Sequence, residues 1–270
     1  MSEIIFDKVW KEYGDHVVLE RISITIAPRS FVALVGPSGC GKTTFLRMLL
    51  GDEVQTRGQI LIDGKPLKAE PDADRGVVFQ RYSVFPHLTV VGNVLLGREF
   101  QQSPLLGRLA GQRRRNATDE AMSLLDSVGL KGHENKYPTE LSGGMQQRLA
   151  LAQALMRKPK ILLLDEPFGA LDPGIRAEIH VLIRQIWNDS DLTVVMVTHD
   201  LGEAFRLGSR VVAFERPRNR PEELERYGAT ITKDLSTAEI KGAMITRDIE
   251  VWPRKIAGAP PPGLPANGPH

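Results

Sequence analysis

Apolar and polar positions change period several times along this chain, and each change marks an element. Between residues 3 and 26 they alternate (IIFDKVW, then VVLERISITI), the period-two pattern of half-buried antiparallel strands. Phe31 to Val35 is apolar throughout, as in a strand covered on both faces, and Thr43 to Leu50 (TTFLRMLL) reads as a helix. Gly58 to Ile62 runs into Asp63-Gly64, a hairpin turn pair. Val77 to Phe79 predicts a short buried strand. From about Leu88 to Lys158 the pattern is helical, with an amphipathic stretch from Ala117 to Val128 that Gly129 stops. Ile161 to Leu164 and Val194 to Val197 suit buried parallel strands, and helical Gly174 to Trp187 between them makes a crossover unit. After a strand at Val211 to Phe214, Tyr227 to Leu235 alternates like one more strand, without an assigned function. The tail from Gly258 (GAPPPGLPANGPH) is expected to be disordered.

Bulk properties narrow the partners. The 270 residues are 41% hydrophobic and 25% charged, ordinary for a globular chain with a sizeable core. A net charge of +2 is too small to make nucleic acid or an anionic membrane the main partner. No apolar run approaches bilayer length, and MSEIIFDKVW does not read as a signal peptide. The one cysteine, Cys40, excludes an internal disulfide and fits a reducing compartment. Any membrane role is therefore expected to come through a partner chain.

The chemistry is concentrated in a few short segments. Gly36-Pro37-Ser38-Gly39-Cys40-Gly41-Lys42-Thr43-Thr44 is a phosphate-binding loop between a predicted strand and a predicted helix. Its glycines let successive N–H groups point inward at an anion, and the helix N-terminus adds its positive end. Lys42 is expected on the β- and γ-phosphates of a nucleoside triphosphate, with the Thr43 hydroxyl on Mg²⁺. Strand Ile161 to Leu164 runs into Asp165 and Glu166. Asp165 is expected to hold Mg²⁺ and Glu166 to face the attacking water, although an acidic turn closing a strand reads the same way. His199 and Gln80 each follow a predicted strand, at the edge where ligands bind in parallel sheets. His199 is expected on phosphate, and Gln80 on Mg²⁺ or the water. A satisfied structural histidine and an ordinary surface glutamine are the alternatives.

Leu141-Ser142-Gly143-Gly144-Met145-Gln146-Gln147-Arg148 precedes a helical run, again placing small residues and free N–H groups at a helix start. Here the sequence resembles the ATP-binding-cassette (ABC) family over about residues 4 to 215. The motifs stand in family order: an aromatic at Tyr13, the phosphate loop, Gln80, the Ser142 segment, Asp165-Glu166, Ala170-Leu171-Asp172 and His199. The resemblance implies an α/β fold, with a P-loop, RecA-like parallel-sheet core, an antiparallel β subdomain and an α-helical subdomain inserted at about 88–158. A C-terminal extension would follow at 216–257, then the tail at 258–270. It implies ATP and Mg²⁺ as cofactors, and two copies pairing head to tail with ATP between the phosphate loop of one and Ser142-Gly143-Gly144 of the other. Asp172 would cross that interface, or cap a helix; Tyr13 would stack on adenine, or serve as a core aromatic. Met145, where many members have Gln, is familiar in importer-type cassettes.

The resemblance further implies a peripheral subunit at the cytoplasmic face of the inner membrane. It would be bound to transmembrane permease subunits, and indirectly to a solute-binding protein, without nucleic acid. The segment Arg81 to Leu88 is expected to receive the permease's coupling helix, or to pack under the helical subdomain. Arg113-Arg114-Arg115 lies in an insertion-like stretch that reads as a solvated loop or helix end, or as a contact with anionic headgroups. The chain is most similar to the nitrate, sulfonate and taurine importer type, with a soluble ABC ATPase not coupled to transport as the alternative reading.

Overall fold

The computed structural model describes residues 2–70, 72–79, 84–102, 111–169, 171–217 and 228–238, with only the helical backbone at 100–102. The opening alternation becomes β1 (Ile4–Tyr13) and β2 (His16–Ile26), paired antiparallel with Ile4 opposite Ile26 and Phe6 opposite Ile24. β3 (Phe31–Val35) then enters a second sheet, and α1 (Lys42–Leu50) follows the phosphate loop. β4 (Arg57–Ile62) joins the free side of β1, and β5 (Lys65–Pro66) turns back on it. Asp63 and Gly64 sit at φ of 52° and 73°, the two positive values a primed two-residue hairpin turn needs. The result is a four-stranded antiparallel sheet in the order β2-β1-β4-β5.

The second sheet carries the site. β6 (Arg75–Val78), β7 (Ile161–Asp165), β8 (Thr193–Val197) and β9 (Arg210–Glu215) join β3 in parallel. β10 (Thr230–Ser236) closes one edge antiparallel to β9, giving the order β10-β9-β3-β8-β7-β6. The strand expected at Val77–Phe79 thus begins two residues earlier, and the segment beyond 215 contributes β10 to this same sheet.

Each parallel strand is apolar throughout because both faces are covered. Phe31, Ala33 and Val35 face one hydrophobic core with Leu162, Leu164, Val194 and Met196. Val32 and Leu34, with Leu163, Val195 and Val197, face the other. The first core is closed by α2 (Val90–Gln102), α3 (Gly111–Ser127), α4 (Gly143–Leu155), α5 (Pro173–Asn188) and α6 (Leu201–Leu207). The second is closed by α1 and the antiparallel sheet, where Phe45 stacks on Phe6 with ring centroids 4.1 Å apart. Each such buried side chain contributes about 1.5–3 kcal/mol of transfer free energy.

Arg113 to Arg115 lie in the exposed first turns of α3, the helix-end reading of that run. Helix α6 went unpredicted because it is short. Its signal is Asp200, whose carboxylate accepts from the Glu203 N–H at 3.1 Å as an N-cap.

Candidate functional site

The carboxyl ends of β3, β8 and β7 lie side by side, with Leu34 opposite Val197 and Val197 opposite Asp165. Whatever follows these strands therefore converges on one edge. After β3 comes the phosphate loop, where glycine is needed for two reasons. A Cβ on Gly36 would stand 2.2 Å from the Phe214 carbonyl oxygen, and on Gly41 it would meet Leu19 at 2.6 Å. Gly41 also has φ of 86°, a left-handed conformation that precedes α1 as its N-cap. The loop is thus wedged between β9 and β2, with no room for side chains on its inner wall.

Lys42 is almost wholly buried, and its ammonium donates to the Gly36 and Pro37 carbonyls at 2.8 and 2.9 Å. An ammonium held by neutral carbonyls keeps an unbalanced charge at the loop mouth. Cys40 is buried beside it, its Sγ 3.7 Å from Lys42 Nζ, and burial pushes the thiol pKa up although Lys42 opposes this.

Thr43 donates its hydroxyl proton to Asp165 Oδ1 at 3.2 Å. Burial raises the Asp165 pKa, and the neighbouring Glu166 charge adds to the rise against the Thr43 hydrogen bond, Arg47 and Lys42. This pair of hard oxygen donors fits Mg²⁺, which would reverse the cost of ionising a half-buried carboxylate. Among the described residues no three His, Cys, Asp or Glu converge as a metal cage. Mg²⁺ does not need one, since it is held by one or two carboxylates together with phosphates.

Glu166 follows at φ of 44°, a conformation non-glycine residues rarely hold. Its N–H is fixed by the Val197 carbonyl at 3.0 Å, and its Oε2 lies 3.4 Å from His199 Nδ1. The acid and the histidine, more than thirty residues apart in sequence, are thus neighbours, with the His199 side chain 63% exposed. The structure brings Lys42, Thr43, Asp165, Glu166 and His199 to one edge. Gln80 lies outside the described residues, as do Arg81, Tyr82, Ser83 and Ala170.

The other expected residues stand apart. Ser142 is the N-cap of α4, its hydroxyl accepting from the Met145 N–H at 3.3 Å, and both Ser142 and Gly143 are exposed. Gly144 is buried against α5: a Cβ there would meet Ile175 Cγ2 at 2.3 Å, so packing alone requires this glycine. Asp172 occupies the N-cap position of α5, yet its exposed carboxylate makes no capping hydrogen bond, which removes the cap reading. Among the described residues no hydrogen bond or ion pair joins Ser142 or Asp172 to the phosphate loop.

Tyr13 is 46% exposed, which overturns its reading as a core aromatic. Its hydroxyl donates to Glu53, the Lys11 ammonium sits 4.6 Å from the ring centroid, and burial with the Glu53 contact pushes its pKa to about 12.

One residue escaped sequence reasoning altogether. Asn93, fully buried in α2, accepts from the Phe85 N–H at 2.7 Å and donates to the Phe85, Leu88 and Thr89 carbonyls. It fixes the turn carrying Phe85, which is 40% exposed and lines a cavity of about 430 Å³ together with Val77, Val78, Leu96 and Ala154. An amide inside the apolar run VVGNVLL was the available signal.

Comparison with known proteins follows this geometry. A family model described as "ABC transporter" matches residues 19–169. An aliphatic sulfonates import ATP-binding protein of Yersinia pestis is 37% identical over 266 residues, covering 98% of this chain and 89% of that protein. An Fe(3+) ions import ATP-binding protein of Rhizobium meliloti is 42% identical over 216 residues, 79% of this chain and 59% of that one, so this chain spans well under two thirds of its length. Among solved structures, a dimeric ATP-binding cassette in a post-hydrolysis state bound to ADP and Pi is 29% identical. It covers 87% of this chain and 98% of its own, with a TM-score of 0.67.

Proposed function

Because the chain belongs to the ABC transporter family and is an ATPase of that family, we propose that it energises solute import through a membrane permease, with each ATP held between two copies. The observation that carries the reading is the split of the site. The residues expected on phosphate and metal are gathered within one chain, whereas Ser142, Gly143 and Asp172 are exposed and, among the described residues, have no hydrogen bond or ion pair to the phosphate loop.

Each residue then has a task. The N–H groups of the loop from Gly36 through Thr44, with Ser38, Gly39 and Cys40 at its crest, surround the phosphates, and Lys42 neutralises charge as it develops on the γ-phosphate. Thr43 and Asp165 would hold Mg²⁺, with Gln80 expected from its place in the sequence to help, and the bound ion would offset charge on the phosphate oxygens. Glu166 accepts the proton of the attacking water or orients it, and His199, 3.4 Å away, holds Glu166 and the γ-phosphate in register. Tyr13 offers an exposed ring to adenine. Ser142, Gly143 and Gly144 of the second copy close the far side of the phosphates through the N-terminus of α4, and Asp172 crosses between copies. ATP therefore stabilises the pair and hydrolysis releases it.

The partner in the membrane would dock on the surface around Phe85. An apolar cavity beside an exposed aromatic, held rigid by Asn93, suits an amphipathic helix. No described helix is long and apolar enough to cross a membrane; on this reading the chain would sit at the cytoplasmic face as a subunit docked on its permease. For the solute, the near full-length likeness to a sulfonate importer supports an oxyanion of the nitrate, sulfonate or taurine type, delivered by a solute-binding protein. Phe85→Ala, reconstituted with its permease in vesicles, should lose most sulfonate uptake while ATP turnover continues. Uptake at the unmutated rate would refute the docking surface.

A further inference from the structure

Glu203 of α6 has no task in the reaction described above, yet its carboxylate is 8% exposed, hydrogen-bonded on one side and facing two basic groups on the other. One oxygen accepts from the Thr198 hydroxyl at 2.7 Å, and the Thr198 oxygen in turn accepts from the Asp200 N–H at 3.0 Å. The Thr198 N–H is held by the Leu34 carbonyl at 3.1 Å. The residues on either side of His199 are therefore fixed, although the His199 ring itself is exposed. The second Glu203 oxygen faces Arg176 Nη1 at 3.6 Å and His180 Nε2 at 3.7 Å, both on α5.

That second side leads to the loop carrying Glu166 and Asp172. Arg176 donates to the Leu171 carbonyl at 3.1 Å and lies 3.8 Å from Asp200. His180, buried, packs edge-on against Phe168 at 4.5 Å. Ile175, next to Arg176, is the residue against which Gly144 of α4 packs. Capping α6 does not require this arrangement, since Asp200 caps it. A buried carboxylate facing Arg and His is seldom worth more to stability than an apolar replacement. Its value lies in fixing a geometry.

We propose that Glu203 is a positioning residue: through Thr198 and Arg176 it sets the His199 turn against the 168–172 loop, and so fixes the hydrolytic geometry without touching nucleotide. The inference rests on the role of His199 given above. It concerns kcat rather than ATP affinity, because the phosphate loop has its own supports in β2 and β9.

The test is single-turnover hydrolysis of Mg-ATP by the full chain, with ATP affinity and thermal melting measured alongside. Glu203→Gln and Thr198→Val should each lower the hydrolysis rate about tenfold to a hundredfold while ATP affinity is kept, the scale expected for a reacting group displaced by a fraction of an ångström. Thr198→Ser, which retains the hydroxyl, should restore the rate. In a His199→Ala background, Glu203→Gln should cost nothing further. If Glu203→Gln only lowered the melting temperature, or cost the same factor with and without His199, the positioning role would be refuted. If His199→Ala itself hydrolysed ATP at the normal rate, the role of His199 would fall and this inference with it.

Discussion

The two halves of the proposed ATP site are built in opposite ways. The phosphate-loop half is made from the middle of the fold: Lys42 is buried, Gly36 and Gly41 are wedged against Phe214 and Leu19, and Thr43 is bonded to Asp165. The half formed by Ser142, Gly143 and Asp172 is exposed, and Asp172 leaves its carboxylate unused at a helix start. The first can bind a triphosphate alone. On the proposed reading the second meets a triphosphate only when another copy brings one to it, which would make association and hydrolysis parts of one event.

The comparison predicts effects of different kinds and sizes. Lys42→Ala should be the most damaging, lowering turnover by about a hundredfold or more and weakening ATP binding, because the developing charge loses its fixed cation. Isothermal titration with ATP and a phosphate-release assay would check both. Ser142→Asp should separate the halves. Aspartate caps a helix as well as serine does, so melting should be unchanged, but its charge would face the partner's phosphates and lower turnover by at least about tenfold. Normal turnover would reduce Ser142 to a capping residue.

The smallest effect concerns Asp165. Burial raises its pKa in the fold, so folding binds a proton more tightly than the unfolded chain does. That contribution is present at low pH and is lost as pH rises through the raised pKa. Asp165→Asn should therefore raise the melting temperature of the nucleotide-free protein slightly at neutral pH. In the unmutated protein, Mg-ATP binding should weaken as pH falls toward the raised pKa. A lower melting temperature in the variant would contradict the burial argument.

Local rules carried far at the first half. A glycine-rich loop between an apolar strand and a helix dictates its own geometry, so Gly36 to Thr43 could be read from the sequence together with β3 and α1. The alternation of β1 and β2 and the Asp63-Gly64 turn were legible for the same reason, since period and turn chemistry act over a few residues. What escaped depends on contacts distant in sequence. That Glu166 meets His199 follows from the order of β7 and β8 in the sheet. Gly144 belongs to a helix start in sequence, but it is Ile175 of α5 that demands a glycine there. Asn93 and Glu203 drew no reading from the sequence, because their partners are backbone carbonyls and side chains that only the fold brings near.

The claim that two incomplete halves meet around ATP is tested most directly by the size of the Glu166→Gln protein in solution. Light scattering in saturating Mg-ATP should give twice the monomer mass, with hydrolysis slowed by about a hundredfold or more, and the monomer should return when ATP is replaced by ADP. A protein that stayed monomeric in Mg-ATP, even with its permease present, would contradict the account.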